Sequence, residues 1–115
     1  MVEDAGIPEV DAAGADEMVA AGALLLDVRE PDEWAAGHAP AAVHVPMGQL
    51  PGSVGELPTD RPIACICRSG ARSGRVTEYL LGFGLDIVNV AGGMQGWAAS
   101  GRPVVTDDGA AGTVI

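Results

Sequence analysis

Apolar positions in this chain fall in short, dense runs, and the stretches between them keep a different rhythm. Residues 63–66 are wholly apolar, residues 23–28 are apolar except for Asp27, and residues 42–45 and 87–90 carry one polar side chain each. Runs without polar alternation mark strands covered on both faces, as in parallel α/β sheets. A weaker strand signal covers residues 7–10. Between the runs, residues 12–21 predict a helix stopped by Gly22. Residues 29–34 open a short helix with Pro31 in its first turn and acidic Asp32 and Glu33 near its N-terminus, and Gly37 ends it. Residues 47–54 hold one or two helical turns limited by Pro51 and Gly52, and residues 57–62 form a turn-rich link. From Arg72 onward, Val76, Tyr79, Leu80 and Phe83 recur at helical spacing up to Gly82 and Gly84. A tight turn at 91–93 leads to a last helix over 94–99 that carries Trp97.

Strands and helices therefore alternate along one short chain. That order predicts the α/β class: a mostly parallel central sheet of about five strands, with helices on both faces and right-handed crossovers. Residues 1–6 read as a lead-in and residues 7–106 as one domain. Residues 107–115, where small and acidic residues take over, read as a mobile tail. In such sheets ligands sit beyond the carboxyl ends of the strands. Asp27, Cys67 and the turn at 91–93 all fall at such ends.

Composition narrows the possibilities. At 115 residues and 48 % hydrophobic the chain fits one domain with its own core. Its aromatics are Trp34, Tyr79, Phe83 and Trp97 alone, so Val, Leu, Ile and Ala must build that core. A net charge of −10 argues against nucleic acid or an anionic membrane as partner, since both demand basic surface. No run approaches the ~18 apolar residues of a membrane span, and no secretory signal opens the chain. The expectation is a cytoplasmic protein whose two cysteines stay reduced. Cys65 and Cys67 are too few for a disulfide framework and make a poor zinc site, so neither a metal nor a cofactor is expected.

Charge then singles out one stretch. The six basic residues are all arginine, and Arg68, Arg72 and Arg75 fall within eight positions on an otherwise acidic chain. The order there is strand, Cys67, a small polar loop, helix N-terminus. Such a loop surrounds a thiol with backbone N–H groups and a helix dipole, which favour the thiolate. Ser69, Gly70 and Ala71 are small enough for the backbone to curl around the sulfur, and Ser73 caps the helix or donates to the sulfur. Arg75 either extends the positive field or pairs with Glu78. Cys65, inside the strand, reads as a buried small hydrophobe; a resolving thiol for Cys67 would need a strained bridge. Asp27, an acid in an apolar run, needs a partner. Backbone groups or Arg29 can supply one and brace the floor of the site, and Arg29 and Glu30 read as a salt-bridged brace in the same way. His38, in a turn with no second histidine or carboxylate at useful spacing, reads as support.

Three segments together resemble the rhodanese superfamily, in its small single-domain form. The first is Leu26-Asp27-Val28-Arg29-Glu30-Pro31-Asp32-Glu33-Trp34, followed by Gly37-His38, Ala41-Ala42 and Val45-Pro46. The second is Cys67-Arg68-Ser69-Gly70-Ala71-Arg72-Ser73, and the third is Gly92-Gly93-Met94 followed by Trp97. The resemblance spans roughly residues 24–100, in the family's order; Gly96 and His44 are mild departures from it. It implies a sulfurtransferase that moves a sulfane sulfur from thiosulfate or a related donor to cyanide or a thiol, through a persulfide on Cys67. Arg68 and Arg72 would bind the donor's oxyanion end, and the loop 68–73 would cradle the sulfur. A protein sulfur donor or acceptor stays open as a partner. Two rivals remain. One is a non-catalytic or persulfide-carrier module for protein interaction. The other is a dual-specificity-type phosphatase or arsenate reductase, whose loop places five residues between cysteine and arginine. Here Arg72 comes one position early and Ser73 stands in its place, a loop better sized for one sulfur than for a phosphoryl group.

Overall fold

The computed structural model describes residues 6–115. Of the expected lead-in at 1–6, residues 1–5 lie outside the described residues. The elements follow in the order β1 (Glu9–Val10), α1 (Ala12–Ala20), β2 (Leu24–Asp27), α2 (Pro31–Ala36), β3 (Val43–His44), two 3₁₀ turns (Met47–Gly52 and Val54–Glu56), β4 (Ile63–Ile66), α3 (Ala71–Leu81), β5 (Ile87–Val90) and α4 (Gly93–Ala99). The five strands form one sheet in the order β1-β5-β4-β2-β3, and every neighbouring pair is parallel. The expected α/β class and strand count hold. β4 and β5 coincide with the apolar runs that announced them, whereas β1, β2 and β3 are each two residues shorter. Pairing stops where the partner strand stops, whereas hydrophobic cover continues into the flanking residues Ala23 and Val28, both buried.

Alternation along each strand sorts the core into two layers. Leu24, Leu26, Ile63, Cys65, Cys67 and Ile87 point to one face, where Val76 and Leu80 of α3 and Leu50 of the 3₁₀ segment cover them. Leu25, Ala64, Ile66 and Val90 point to the other, under Ala12 and Ala15 of α1 and Met94 and Trp97 of α4. Helices thus cover both faces. Between β2 and β4 the strand order turns back: the chain runs outward to β3 on one side and to β5 on the other. A crevice opens at the carboxyl ends of strands at such a switch point, and Cys67 and the residues after Asp27 stand there. No helix among the described residues is long and apolar enough to cross a membrane.

Residues 107–115 depart from the expected mobile tail. Val105 pairs antiparallel with both His38 and Ala111, so the segment doubles back as a small hairpin. Gly112 N–H donates to the Val104 carbonyl at 2.8 Å, and Thr113 N–H donates to the Ala36 carbonyl at 2.9 Å. Val114 packs on the α1/α4 layer. The Asp107 carboxylate accepts from Trp34 Nε1 at 3.1 Å and bonds His38 Nε2 at 2.9 Å, while His38 stacks on Trp34 with 3.6 Å between ring centroids. Small, acidic composition suggested a solvated end. The hydrogen bonds and the packing of Val114, beside Val104, on the core layer dock it instead, through partners more than sixty positions away that no local pattern reveals.

Candidate active site

Cys67 follows β4 directly and is 1 % exposed. The backbone then curls: Gly70 takes φ +103°, a left-handed conformation that a side chain resists, and α3 begins at Ala71, one residue earlier than the apolar spacing suggested. The curl brings donors onto the sulfur. Gly70 N–H lies 3.1 Å from Cys67 Sγ and the Ser73 hydroxyl 3.2 Å away. Burial pushes the Cys67 thiol up, but the Ser73 hydroxyl and the N–H groups of Ser73, Gly70 and Ser69 outweigh it, leaving the pKa below its ordinary value. Cys65, fully buried in β4, is pushed the other way by desolvation and by its neighbour Cys67. One thiol is poised to ionise and the other is kept neutral.

The loop keeps its N–H groups inward because its carbonyls are occupied outside. Met94 N–H donates to the Cys67 carbonyl at 2.7 Å, and Gln95 N–H to the Arg68 carbonyl at 3.0 Å. These are orphan donors of the first turn of α4. The approach depends on Gly93, at φ +56°, where a Cβ would stand 2.5 Å from the Cys67 oxygen and 2.6 Å from that of Arg68. The turn at 91–93 is thus in direct contact with the loop.

Behind the sulfur lies a polar network. Ser73 Oγ also sits 2.6 Å from Asn89 Oδ1, and Asn89 Nδ2 donates to Glu9 Oε2 at 2.8 Å and to the Gly70 carbonyl at 3.1 Å. Asn89 is 2 % exposed, in β5. The single hydroxyl hydrogen of Ser73 has two acceptors, and an ionised Cys67 draws it to the sulfur.

The arginines are placed differently from their expected grip on a donor. Arg72 makes a two-point ion pair with Glu33 of α2, at 2.6 and 2.8 Å. Arg72 holds the Glu33 carboxyl down at about 2. Arg68 is exposed, and its Nε donates to the Ile115 carbonyl at 2.8 Å. Ser69 is exposed at the loop crest and Ala71 at the start of α3. Arg75, one turn further along α3, has no ion pair or hydrogen bond among the described residues and does not reach Glu78.

Asp27 and Arg29 lie away from the sulfur's own contacts. Both are fully buried and joined through Arg29 N, Nε and Nη2 to the Asp27 carboxylate at 2.9–3.1 Å. Arg29 Nη2 also donates to the Gly37 carbonyl at 2.8 Å, tying the end of β2 to the end of α2. The acid in an apolar run does find its partner two residues on.

Glu33 and Asn89 are the residues that sequence reasoning passed over. Asn89 carried a signal, because an amide inside the run Ile87–Val90 is the same anomaly as Asp27. Glu33 carried none, since its partner is 39 positions away.

Comparison with known proteins agrees with the geometry. Residues 11–100 match the family described as Rhodanese-like domain. A protein named sulfurtransferase from Allochromatium vinosum is 42 % identical over 88 residues, covering 75 % of this chain and 81 % of that protein. The putative sulfurtransferase YtwF of Bacillus subtilis is 41 % identical over 99 residues, covering 84 % and 96 %. The crystal structure of a rhodanese-related protein from Thermoplasma volcanium superposes with a TM-score of 0.82 at 37 % identity, covering 87 % of this chain and 99 % of that one. The chain belongs to the rhodanese-like domain family.

Proposed function

We propose that this protein is a sulfurtransferase that carries a sulfane sulfur on Cys67. The observation that supports this most is the Cys67 thiol itself, with its pKa lowered by donors from Gly70 and Ser73 at 3.1 and 3.2 Å. Two relatives that cover most of the chain bear sulfurtransferase names.

With thiosulfate or a related donor, the Cys67 thiolate attacks the outer sulfur. A new Sγ–S bond forms, the donor S–S bond breaks, and sulfite leaves with the electron pair. The loop N–H groups that faced the thiolate then face the persulfide anion. In the second half-reaction cyanide or a thiolate attacks the outer sulfur and departs with it, and the electron pair returns to Cys67. This is covalent, ping-pong chemistry that needs no general base once the thiol is ionised. A donor oxyanion reaching Arg72 competes with Glu33, and one reaching Arg68 displaces the Ile115 carbonyl. The four residues between Cys67 and Arg72 favour sulfur over a phosphoryl group.

Mass spectrometry after incubation with thiosulfate tests the reading. One sulfur atom is expected on Cys67, removable by cyanide, absent in Cys67→Ser and retained in Cys65→Ser. Hydrolysis of an aryl phosphate with no sulfur adduct from thiosulfate or any persulfide would overturn it.

A further inference from the structure

Ser73 and Asn89 are both buried behind the sulfur, and the orientation of the Asn89 amide is fixed by its surroundings. Nδ2 faces two acceptors, Glu9 Oε2 at 2.8 Å and the Gly70 carbonyl at 3.1 Å, and a reversed amide would set Oδ1 against both. Oδ1 therefore faces the Ser73 hydroxyl, 2.6 Å away, and can only accept from it. Ser73 Oγ also lies 3.2 Å from Cys67 Sγ. One hydrogen stands between two acceptors, and the charge on the sulfur decides which receives it.

The amide is not what holds the loop. The Gly70 carbonyl also accepts from Gly74 N–H at 3.0 Å, Met94 and Gln95 of α4 hold the next two loop carbonyls, and the Thr77 hydroxyl donates to the Ser73 carbonyl at 2.8 Å. Among the described residues, what Asn89 alone supplies is an acceptor for the Ser73 hydroxyl other than the sulfur. In the thiol and in the persulfide Sγ is uncharged, and the hydroxyl rests on Asn89. In the thiolate the charge sits on Sγ and draws the hydroxyl over, leaving Ser73 Oγ and Asn89 Oδ1 as two oxygens in contact with no hydrogen between them. That contact offsets part of what Ser73 gives the thiolate.

We infer that Asn89 is a positioning residue that receives the Ser73 hydroxyl whenever Cys67 Sγ is uncharged, and so favours the sulfur-loaded protein over the free thiolate. The inference rests on the sulfurtransferase reading and deepens it. Loading from thiosulfate forms the Sγ–S bond and breaks the donor S–S bond, and sulfite leaves with the electron pair. The negative charge passes from Sγ to the outer sulfur, and the hydroxyl turns back to Asn89 with no proton transferred. The titratable groups facing this exchange are Arg72 on α3, Cys65 on β4 with Asp27 of β2 beyond it, and Glu9 of β1 behind the amide. From α4 the loop meets the uncharged Met94 and Gln95.

Alkylation of unloaded protein by iodoacetamide across a pH series reads the sign. Asn89→Leu removes the competing acceptor, so the rate should rise at lower pH than in the wild type, opposite to Ser73→Ala. The double variant should follow Ser73→Ala alone, because Asn89 acts through the hydroxyl. A profile unmoved, or moved to higher pH as a loosened loop would move it, overturns the inference. NMR of the wild type needs no variant to fold. The Asn89 side-chain carbonyl carbon should shift as Cys67 ionises and return once sulfur is loaded, and a resonance indifferent to Cys67 ionisation overturns the inference. In a thiosulfate–sulfite buffer above the Cys67 midpoint, intact mass should show a loaded-to-free ratio roughly fivefold lower in Asn89→Leu, the scale of one hydrogen bond. An equal ratio overturns the bias toward loading. Wild type that never loads sulfur overturns the sulfurtransferase reading instead, while the alkylation profiles still decide whether Asn89 competes for the hydroxyl.

Discussion

Arg72 and Glu33, 39 residues apart in sequence, meet through the two terminal guanidinium nitrogens and both carboxylate oxygens at 2.6 and 2.8 Å, beside the reactive cysteine. A cation that the loop sequence offers to a substrate is thereby held by a helix from the other end of the site. The Glu33 carboxyl, hydrogen-bonded by Arg72 and held at about 2, stays ionised far below neutral pH. A carboxyl with a depressed pKa contributes stability above its ordinary value near 4.3, and that contribution is lost as pH falls through about 2. The pair is therefore constant over any pH at which sulfur transfer is measured. Glu33→Gln removes the charge while keeping the shape. The KM for thiosulfate should fall roughly two- to fivefold, the scale of a partly exposed ion pair. Steady-state kinetics checks this, and an unchanged KM would mean that Arg72 does not contact the donor.

Ser73 controls ionisation of Cys67. Its hydroxyl lies 3.2 Å from Sγ, and the thiol pKa is lowered. A hydrogen bond to a charged group contributes about 1.5 kcal/mol. In Ser73→Ala the rate of Cys67 alkylation by iodoacetamide should rise at higher pH than in the wild type. The sign follows from the thiolate being the favoured partner, since its loss raises the pKa and leaves less reactive sulfur at neutral pH. A midpoint that does not move would assign the whole effect to the N–H groups.

Gly93 is the contact on which the loop's shape depends. An added Cβ would meet two loop carbonyls at 2.5 and 2.6 Å, and those atoms cannot retreat without breaking the Met94 N–H bond to Cys67 at 2.7 Å. Gly93→Ala should displace the loop and lower kcat/KM for sulfur transfer roughly 100-fold, the cost of about 1 Å of misplacement. Gly96→Ala, in the same helix with open space around it, should leave the rate near wild type. Equal losses in the two variants would point to the helix rather than to the contact.

The docked C-terminal segment makes its own prediction. At Gly112 a Cβ would lie 2.7 Å from Gly37 Cα and 2.9 Å from the Ala36 carbonyl. Both are backbone atoms with nowhere to move. Gly112→Ala should destabilise by about 1–3 kcal/mol, as overpacking does, and lower the melting temperature by roughly 4–8 °C for each of those. Scanning calorimetry reads this directly. Melting at the wild-type temperature would mean that the segment contributes nothing to stability.

How much of this was legible in the chain itself follows from the range of each interaction. Strand and helix identity, the two-sided cover of the sheet, and the place of Cys67 at a carboxyl edge were written in local patterns, because burial on both faces and helical periodicity act over a few residues. The Asp27–Arg29 brace was legible for the same reason: partner and acid are two positions apart. Loop length, counted from Cys67 to Arg72, already leaned toward sulfur. Tertiary structure alone decided which charges remain free. Glu33 takes Arg72, the Ile115 carbonyl takes Arg68, and Arg75 is left without a partner among the described residues. Tertiary structure also made a folded segment of residues 107–115, since His38, Trp34 and Gly37 meet them from the far side of the sequence. Charge pairing and docking depend on groups brought together by the fold, and no spacing along one chain encodes the distance between them.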